Sequence, residues 1–401
     1  MSVPQKVTTA AEAGVMVGIP PAPAGRVTLE NWLVHPFSRW SLLHTREVIS
    51  TTSVDPAPGL VTGLPVAPAD LEGVEVALGQ ERMTISSYVD RSWIDGFLVL
   101  QDGRIRIETY RNGMTPATRH LVMSVSKSIT SLIVGVLVER GLVGLDDEVT
   151  RIVPELDGTA YEGATVQHLL DMRVACDWLE DYESETSEFW RLDVACGWAP
   201  ARDETPDTLL GLMRRFTGNG RHGQVMQYLS PNADLLGLIA ERVTRTRLPE
   251  LVSDELWQPC GMEWSADLAR DPVGMSVTDG GFCITLRDLG RLGQLVLDDG
   301  RVGSRQVVPR SWLAECWLAQ ETSFVPRSFG ADVPGATYHN LWWQMDGRLF
   351  ALGIRGQMLA VDPAAGLVIA FLSSSPGPVD ELQAQRVVVG ALADACESRG
   401  R

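Results

Sequence analysis

One place in this chain joins a nucleophile to a base: Ser124 and Lys127, within "MSVSKSITSLIVGVL" (123–137). Of the 34 basic residues only Lys6 and Lys127 are lysines, the remaining 32 being arginines. On a helix, positions i and i+3 share a face, so the Lys127 amine reaches the Ser124 hydroxyl. Ser126 and Ser128 are each turned away by about 100°. Ser124 stands where the helix begins, at its partially positive end, which favours a developing anion. Burial beside an apolar helix disfavours an ammonium, so Lys127 is expected to be neutral and to act as a base. Arginine cannot replace it, because a guanidinium keeps its proton in proteins. The competing reading of S-x-x-K is an N-cap followed by a solvated lysine. The scarcity of lysine and the apolar run behind it favour chemistry. A second component is Tyr228 in "QYLSPNAD", just ahead of a helix start, where a phenol can pass a proton between serine and leaving group.

Other common sites are absent. There is no G-x-S-x-G elbow, no H-E-x-x-H, no G-x-x-x-x-G-K and no dinucleotide glycine pattern after a strand. His35, His44, His120, His168, His222 and His339 fall in no ligand or triad spacing and read as surface or structural groups. Six cysteines without C-x-x-C spacing read as reduced, partly buried thiols. No metal or organic cofactor is expected.

The elements that must position Ser124 and Lys127 follow from pattern. "GFLVLQDGRIRIETYRNG" (96–113) places two strand-like runs around Asp102-Gly103, a pair favoured in tight hairpin turns. From Ile129 to Val138 the chain is apolar nearly all round, which predicts a central buried helix closed by Arg140 and Gly141. "SPNADLLGLIAERVT" predicts another, with Ser230 as N-cap, Pro231 at the first helical position and Leu235, Leu236 and Ile239 inward. "ATVQHLLDM" and "LPELVSDELW" are further short helices. Strands return in "LWWQMDGRLFALGI", a second Asp-Gly hairpin. "QMLAVDPAAGLVIAFLSSS" reads as strand, turn and strand, or as one strand broken at Gly356. A final helix covers about 380–397. Strand pairs at both ends with helices between them predict an α+β arrangement, its antiparallel sheet assembled from both termini. The division is 1–73, an N-terminal extension and Pro/Gly-rich connector; 74–141 with 273–401, a sheet domain; and 142–272, a mainly helical domain. "NWLVHPFSRW" is expected to pack on the body.

A formal net charge of −17 speaks against nucleic acid or an anionic membrane as partner. No run approaches the roughly 20 apolar residues of a membrane span. The N-terminal stretch has no continuous apolar region of the secretory type, so a cytoplasmic protein is expected. Homodimerisation is left open.

With these pieces placed, the chain resembles the serine β-lactamase/penicillin-binding family, and within it the 6-aminohexanoate-dimer hydrolases and related carboxylesterases. The resemblance runs over about residues 80–390 through "RHLVMSVSKS", "DMRVACDWLEDYESE", "QYLSPNADLLG", "DGGFCITLRDLGRLG" and "GIRGQMLAVDP". It implies a β-lactamase/transpeptidase-like fold, a helical domain inserted in the sheet domain, and hydrolysis through an acyl-enzyme. Ser124 would be the acylated nucleophile, Lys127 its base and Tyr228 the hydroxyl that returns a proton to the leaving group. Ser230 would fill the third position of the Y-x-N/S motif. Ala351-Leu352-Gly353 would stand where β-lactamases carry K-T-G, so that the Ser124 and Ile354 N–H groups form an oxyanion hole. Sliding the register to Arg355-Gly356-Gln357 would move the second donor. Loss of the third-motif lysine argues against β-lactams and for esters or linear amides. Tyr182 and, eleven residues later, Asp193 would contact substrate, the carboxylate suiting a cationic amino end. Asp279 in "VTDGG" replaces the asparagine of the amide-active enzymes. The alternatives are a penicillin-binding carboxypeptidase and a non-catalytic binding protein on this scaffold.

Overall fold

The computed structural model describes residues 7–182, 189–201, 206–318, 322–324 and 333–399. Lys6 and "ESETSE" (183–188) lie outside them. Both Asp-Gly pairs form hairpin turns with left-handed backbone at each central residue: φ is 50° at Asp102 and 70° at Gly103, 53° at Asp346 and 74° at Gly347. Such turns match the right-handed twist of the strands they join. The first joins β1 (Ile94–Gln101) to β2 (Arg104–Tyr110). The second belongs to a run of β3 (Thr337–His339), β4 (Trp342–Met345), β5 (Arg348–Gly353), β6 (Gln357–Asp362) and β7 (Leu367–Ser373). One seven-stranded sheet results, in the order β3-β4-β5-β6-β7-β1-β2, every neighbour antiparallel. The sheet is therefore built from both ends of the chain, and "QMLAVDPAAGLVIAFLSSS" is the strand–turn–strand alternative.

The helix carrying Ser124 is α1 (Val125–Glu139), buried from Val125 to Leu137 and closed by Arg140 and by Gly141 at φ 64°. It packs against β5 and against α3 (Pro231–Thr244), a helix that buries Leu235, Leu236 and Ile239. Between α1 and α3 in the chain lies α2 (Trp190–Ala195). On the sheet lies α4 (Leu286–Leu297), whose Gly290 and Gly293 let Leu98 and Val368 come within contact distance. α5 (Leu382–Arg399) closes the chain.

A second, four-stranded sheet pairs Thr51–Val54, Ala266–Ala269, Phe282–Ile284 and His120–Leu121, in that order. Its last strand leads directly into the Ser124 turn. The aromatic "NWLVHPFSRW" segment packs as expected: Trp32 is buried and its indole N–H donates to the Trp198 carbonyl at 2.7 Å. All six cysteines are buried and free of disulfides. No helix among the described residues is long and apolar enough to cross a membrane.

Candidate active site

Two sheets converge on Ser124. Leu121 N–H donates to the Leu42 carbonyl at 2.8 Å and Val122 N–H to the Phe282 carbonyl at 2.9 Å, fixing the chain up to that point. Met123 then turns through a left-handed φ of 48°, and Ser124 opens α1 with helical backbone. A non-glycine residue in that region costs of order 1 kcal/mol and persists where the surroundings over-determine it. Here the small sheet on one side and a buried helix on the other do so.

Lys127 Nζ donates to Ser124 Oγ at 2.9 Å and to the Asp279 backbone carbonyl at 2.6 Å. The Tyr228 hydroxyl is hydrogen-bonded to both Ser124 and Lys127. The Lys127 ammonium also lies 5.1 Å from the centre of the Tyr228 ring. Both side chains are buried, Lys127 to 1% exposure and Tyr228 to 2%. The other two serines point elsewhere. Ser126 Oγ accepts from the Phe282 N–H at 3.1 Å, and Ser128 donates to the Leu341 carbonyl at 2.7 Å. Helical spacing thus separates the three serines as the sequence predicts.

The electrostatics correct one expectation. Burial alone would strip the Lys127 proton, but Tyr228 first, then Asp279, Glu180 and Asp234, outweigh it and raise the amine above the ordinary lysine value. The resting Lys127 is a cation. Those acidic partners arrive from distant sequence, which no reading of α1 alone reveals. Tyr228 is pushed up by burial, against the pull of Lys127 and Ser124.

Ser230 departs from its expected role. It occupies the N-cap position of α3 but makes no side-chain cap. Its hydroxyl donates instead to Glu180 Oε2 at 2.9 Å, and its N–H donates to Glu180 Oε1. Tyr182 donates its hydroxyl to the same Oε2 at 2.9 Å. Glu180 is buried, and burial drives its pKa up to about 7 against the pull of Lys127 and these hydrogen bonds. Sequence reading drew Tyr182 from "LEDYESE" but not Glu180, because a carboxylate within an acidic run shows no sign of burial. Asp234 was passed over too. Buried on α3, its Oδ1 accepts from Thr278 N–H at 2.7 Å and Asp279 N–H at 2.9 Å. That clamp fixes the loop whose carbonyl receives Lys127.

The remaining candidates gather around this centre. Asp193 sits on α2, half-buried, and burial followed by the Asp279 charge raises it to about 7 while Arg355 opposes. Asp279 is buried with Oδ1 unpartnered among the described residues, and burial raises it against the attraction of Lys127. Tyr182, raised by burial, feels Glu180, Tyr228 and Asp279. Gly353, the last residue of β5, touches the turn before Ser124: a Cβ there would stand 2.6 Å from the Val122 carbonyl oxygen and 3.0 Å from Met123 Cβ. Ile354 follows it. Neither the Ser124 nor the Ile354 N–H donates to a backbone carbonyl among the described residues. Gly356, at φ 86°, instead faces Ser373, whose Cβ would lie 2.9 Å from an added methyl. The strand end beside Ser124 is therefore Gly353–Ile354. Among the described residues no group of three His, Cys, Asp or Glu side chains is placed to hold a metal.

The model of the beta-lactamase family matches residues 84–393. The 6-aminohexanoate-dimer hydrolase of Paenarthrobacter ureafaciens is 34% identical over 364 residues, 90% of this chain and 91% of that one. Among solved structures, a provisionally named 6-aminohexanoate-dimer hydrolase from Bacillus anthracis superposes with a TM-score of 0.85 at 28% identity, over 95% of this chain and 98% of that one. The hydrolase EstCE1, described as having promiscuous acyltransferase activity, shares the fold with a TM-score of 0.60 at 18% identity, over 78% and 96% of the two chains.

Proposed function

The chain belongs to the beta-lactamase family, and from that premise we propose that it is a serine hydrolase working through an acyl-enzyme on carboxylic esters, on linear amides of the 6-aminohexanoate-dimer type, or on both. The observation that carries this reading is Lys127 Nζ at 2.9 Å from Ser124 Oγ at the head of a buried helix. Ser124 Oγ attacks the substrate carbonyl while Lys127, in its neutral form, takes the hydroxyl proton. Because acidic neighbours favour the ammonium, the reactive fraction grows as pH rises.

The oxyanion is received by the N–H groups of Ser124 and Ile354, both without a backbone acceptor among the described residues. The Tyr228 phenol gives its proton to the leaving amine or alkoxide and recovers one from Lys127. Water then attacks the acyl carbonyl, losing its proton to the same pair, and Ser124 leaves with a proton restored. On the substrate side, Asp193 and Tyr182 receive the acyl portion. A carboxyl held near pH 7 by burial ionises when a cationic amino end enters beside it.

The test replaces Ser124 by alanine and measures hydrolysis of p-nitrophenyl butyrate and of the linear 6-aminohexanoate dimer. Loss of both activities in a folded protein is the expected result. Undiminished hydrolysis by the alanine variant would end the assignment.

A further inference from the structure

Lys127 and Tyr228 are held by neighbours that take no part in the proton transfers described, and Glu180 does more of this than any single reading of its segment suggests. Its carboxylate is 2% exposed, yet no arginine or lysine forms an ion pair with it among the described residues. Three donors converge on its two oxygens instead. The Ser230 N–H reaches Oε1; the Ser230 hydroxyl at 2.9 Å and the Tyr182 hydroxyl at 2.9 Å reach Oε2. Ser230 is two residues beyond Tyr228, in the turn that aims the phenol at Ser124. Tyr182 lies on the substrate side. One side chain therefore fastens the proton-handling turn to the substrate-facing segment.

Its charge also reaches Lys127, raising the amine together with Tyr228, Asp279 and Asp234. The groups facing Lys127 are thus three carboxyls and a phenol, and only Glu180 among them also binds the Tyr228–Ser230 turn through its side chain. A buried carboxyl costs free energy unless it is satisfied, so its retention here calls for a role.

We propose that Glu180 is a positioning residue: its carboxylate locks the Tyr228–Ser230 turn to the Tyr182 hydroxyl and stands as a negative charge beside the Lys127 ammonium. This rests on the serine-hydrolase reading above. The sign of the charge effect is fixed. A carboxylate near an ammonium favours its charged form, so removing the charge lets Lys127 lose its proton at lower pH. The hydrogen-bonding effect is separable, since glutamine keeps an acceptor for the Ser230 N–H and alanine keeps none.

The experiment measures the rate at which a fluorophosphonate probe labels Ser124 between pH 8.5 and 10.5, above the value of about 7 to which burial lifts Glu180. Wild type, Glu180→Gln and Glu180→Ala are compared, with circular dichroism checking the fold. In wild type the rate is expected to climb throughout. In Glu180→Gln it levels off about one pH unit lower, with the plateau rate kept within a few-fold. Glu180→Ala shows the same displacement and a plateau at least about tenfold slower, because the turn is released. Should the alanine variant fail to fold, the glutamine variant alone decides. A Glu180→Gln protein with the wild-type pH dependence overturns the proposal. Absence of labelling at Ser124 in wild type would instead overturn the serine-hydrolase reading.

Discussion

Replacing Gly353 by alanine is expected to slow turnover about a hundredfold without touching any reacting group. The added Cβ would stand 2.6 Å from the Val122 carbonyl oxygen, 2.9 Å from Gln357 Cβ and 3.0 Å from Met123 Cβ. A carbon needs about 3.3 Å from a carbonyl oxygen, so the end of β5 must retreat from the Ser124 turn by about 0.7 Å. Val122 cannot yield, because its own N–H is bonded to Phe282 at 2.9 Å in the small sheet. The movement therefore falls on Gly353 and on the Ile354 N–H that follows. Displacing one oxyanion donor costs about 2.7–4 kcal/mol when the donor is lost altogether, and misplacement approaching 1 Å costs about a hundredfold. The assay is kcat for p-nitrophenyl butyrate per folded molecule, with Tm measured alongside. Gly356→Ala is the control. It strains a residue at φ 86° and crowds Ser373, so Tm should fall while kcat stays within about threefold, since the added Cβ meets Ser373 rather than the Ser124 turn. Wild-type kcat in Gly353→Ala would refute the reasoning. So would an equal loss in Gly356→Ala, which would move the second donor to the other register.

Three more outcomes follow from the same coordinates. Lys127→Arg keeps a cation but removes the base, so kcat should fall about 10²–10⁴-fold at every pH; activity that rises with pH as in wild type would contradict it. Asp193→Asn should raise Tm by more at pH 8 than at pH 5. The Asp193 carboxyl sits at about 7 in the fold, above its ordinary value of 3.8. Its favourable contribution is thus complete below the unfolded value and lost as pH rises through about 7, on the order of 2 kcal/mol after allowing for partial exposure; a Tm difference that shrinks from pH 5 to pH 8 would be inconsistent. Gly135→Ala should cost about 1–3 kcal/mol, because the new Cβ would lie 2.3 Å from Trp312 Cγ inside the core; an unchanged urea midpoint would show that α1 has more room than the structure gives it.

How much of this was readable in advance depends on whether local pattern or tertiary contact decides each feature. The two Asp-Gly hairpins, the apolar helix behind Ser124 and the i, i+3 reach of Lys127 depend on neighbours within a few residues, and the structure has them where the patterns predict. Ser230 was readable as a helix start but not in its bonding: its hydroxyl prefers a buried carboxylate fifty residues away over its own helix. Glu180 and Asp234 escaped notice because an acidic residue in sequence is an ordinary surface residue until the fold buries it. Tyr228 and Asp279, joined by these two carboxyls, reverse the expected neutrality of Lys127. For the register of the third motif, open by eye, the contact of Gly353 with Val122 and Met123 supports the Gly353–Ile354 reading.

The central claim is that Ser124, of the three serines around Lys127, is the nucleophile. Its most direct test is a fluorophosphonate adduct mapped by peptide mass spectrometry on the intact chain. A single adduct on Ser124, abolished by Ser124→Ala, is the predicted result. An adduct on Ser126 or Ser128, or a chain that stays unmodified, would contradict the account.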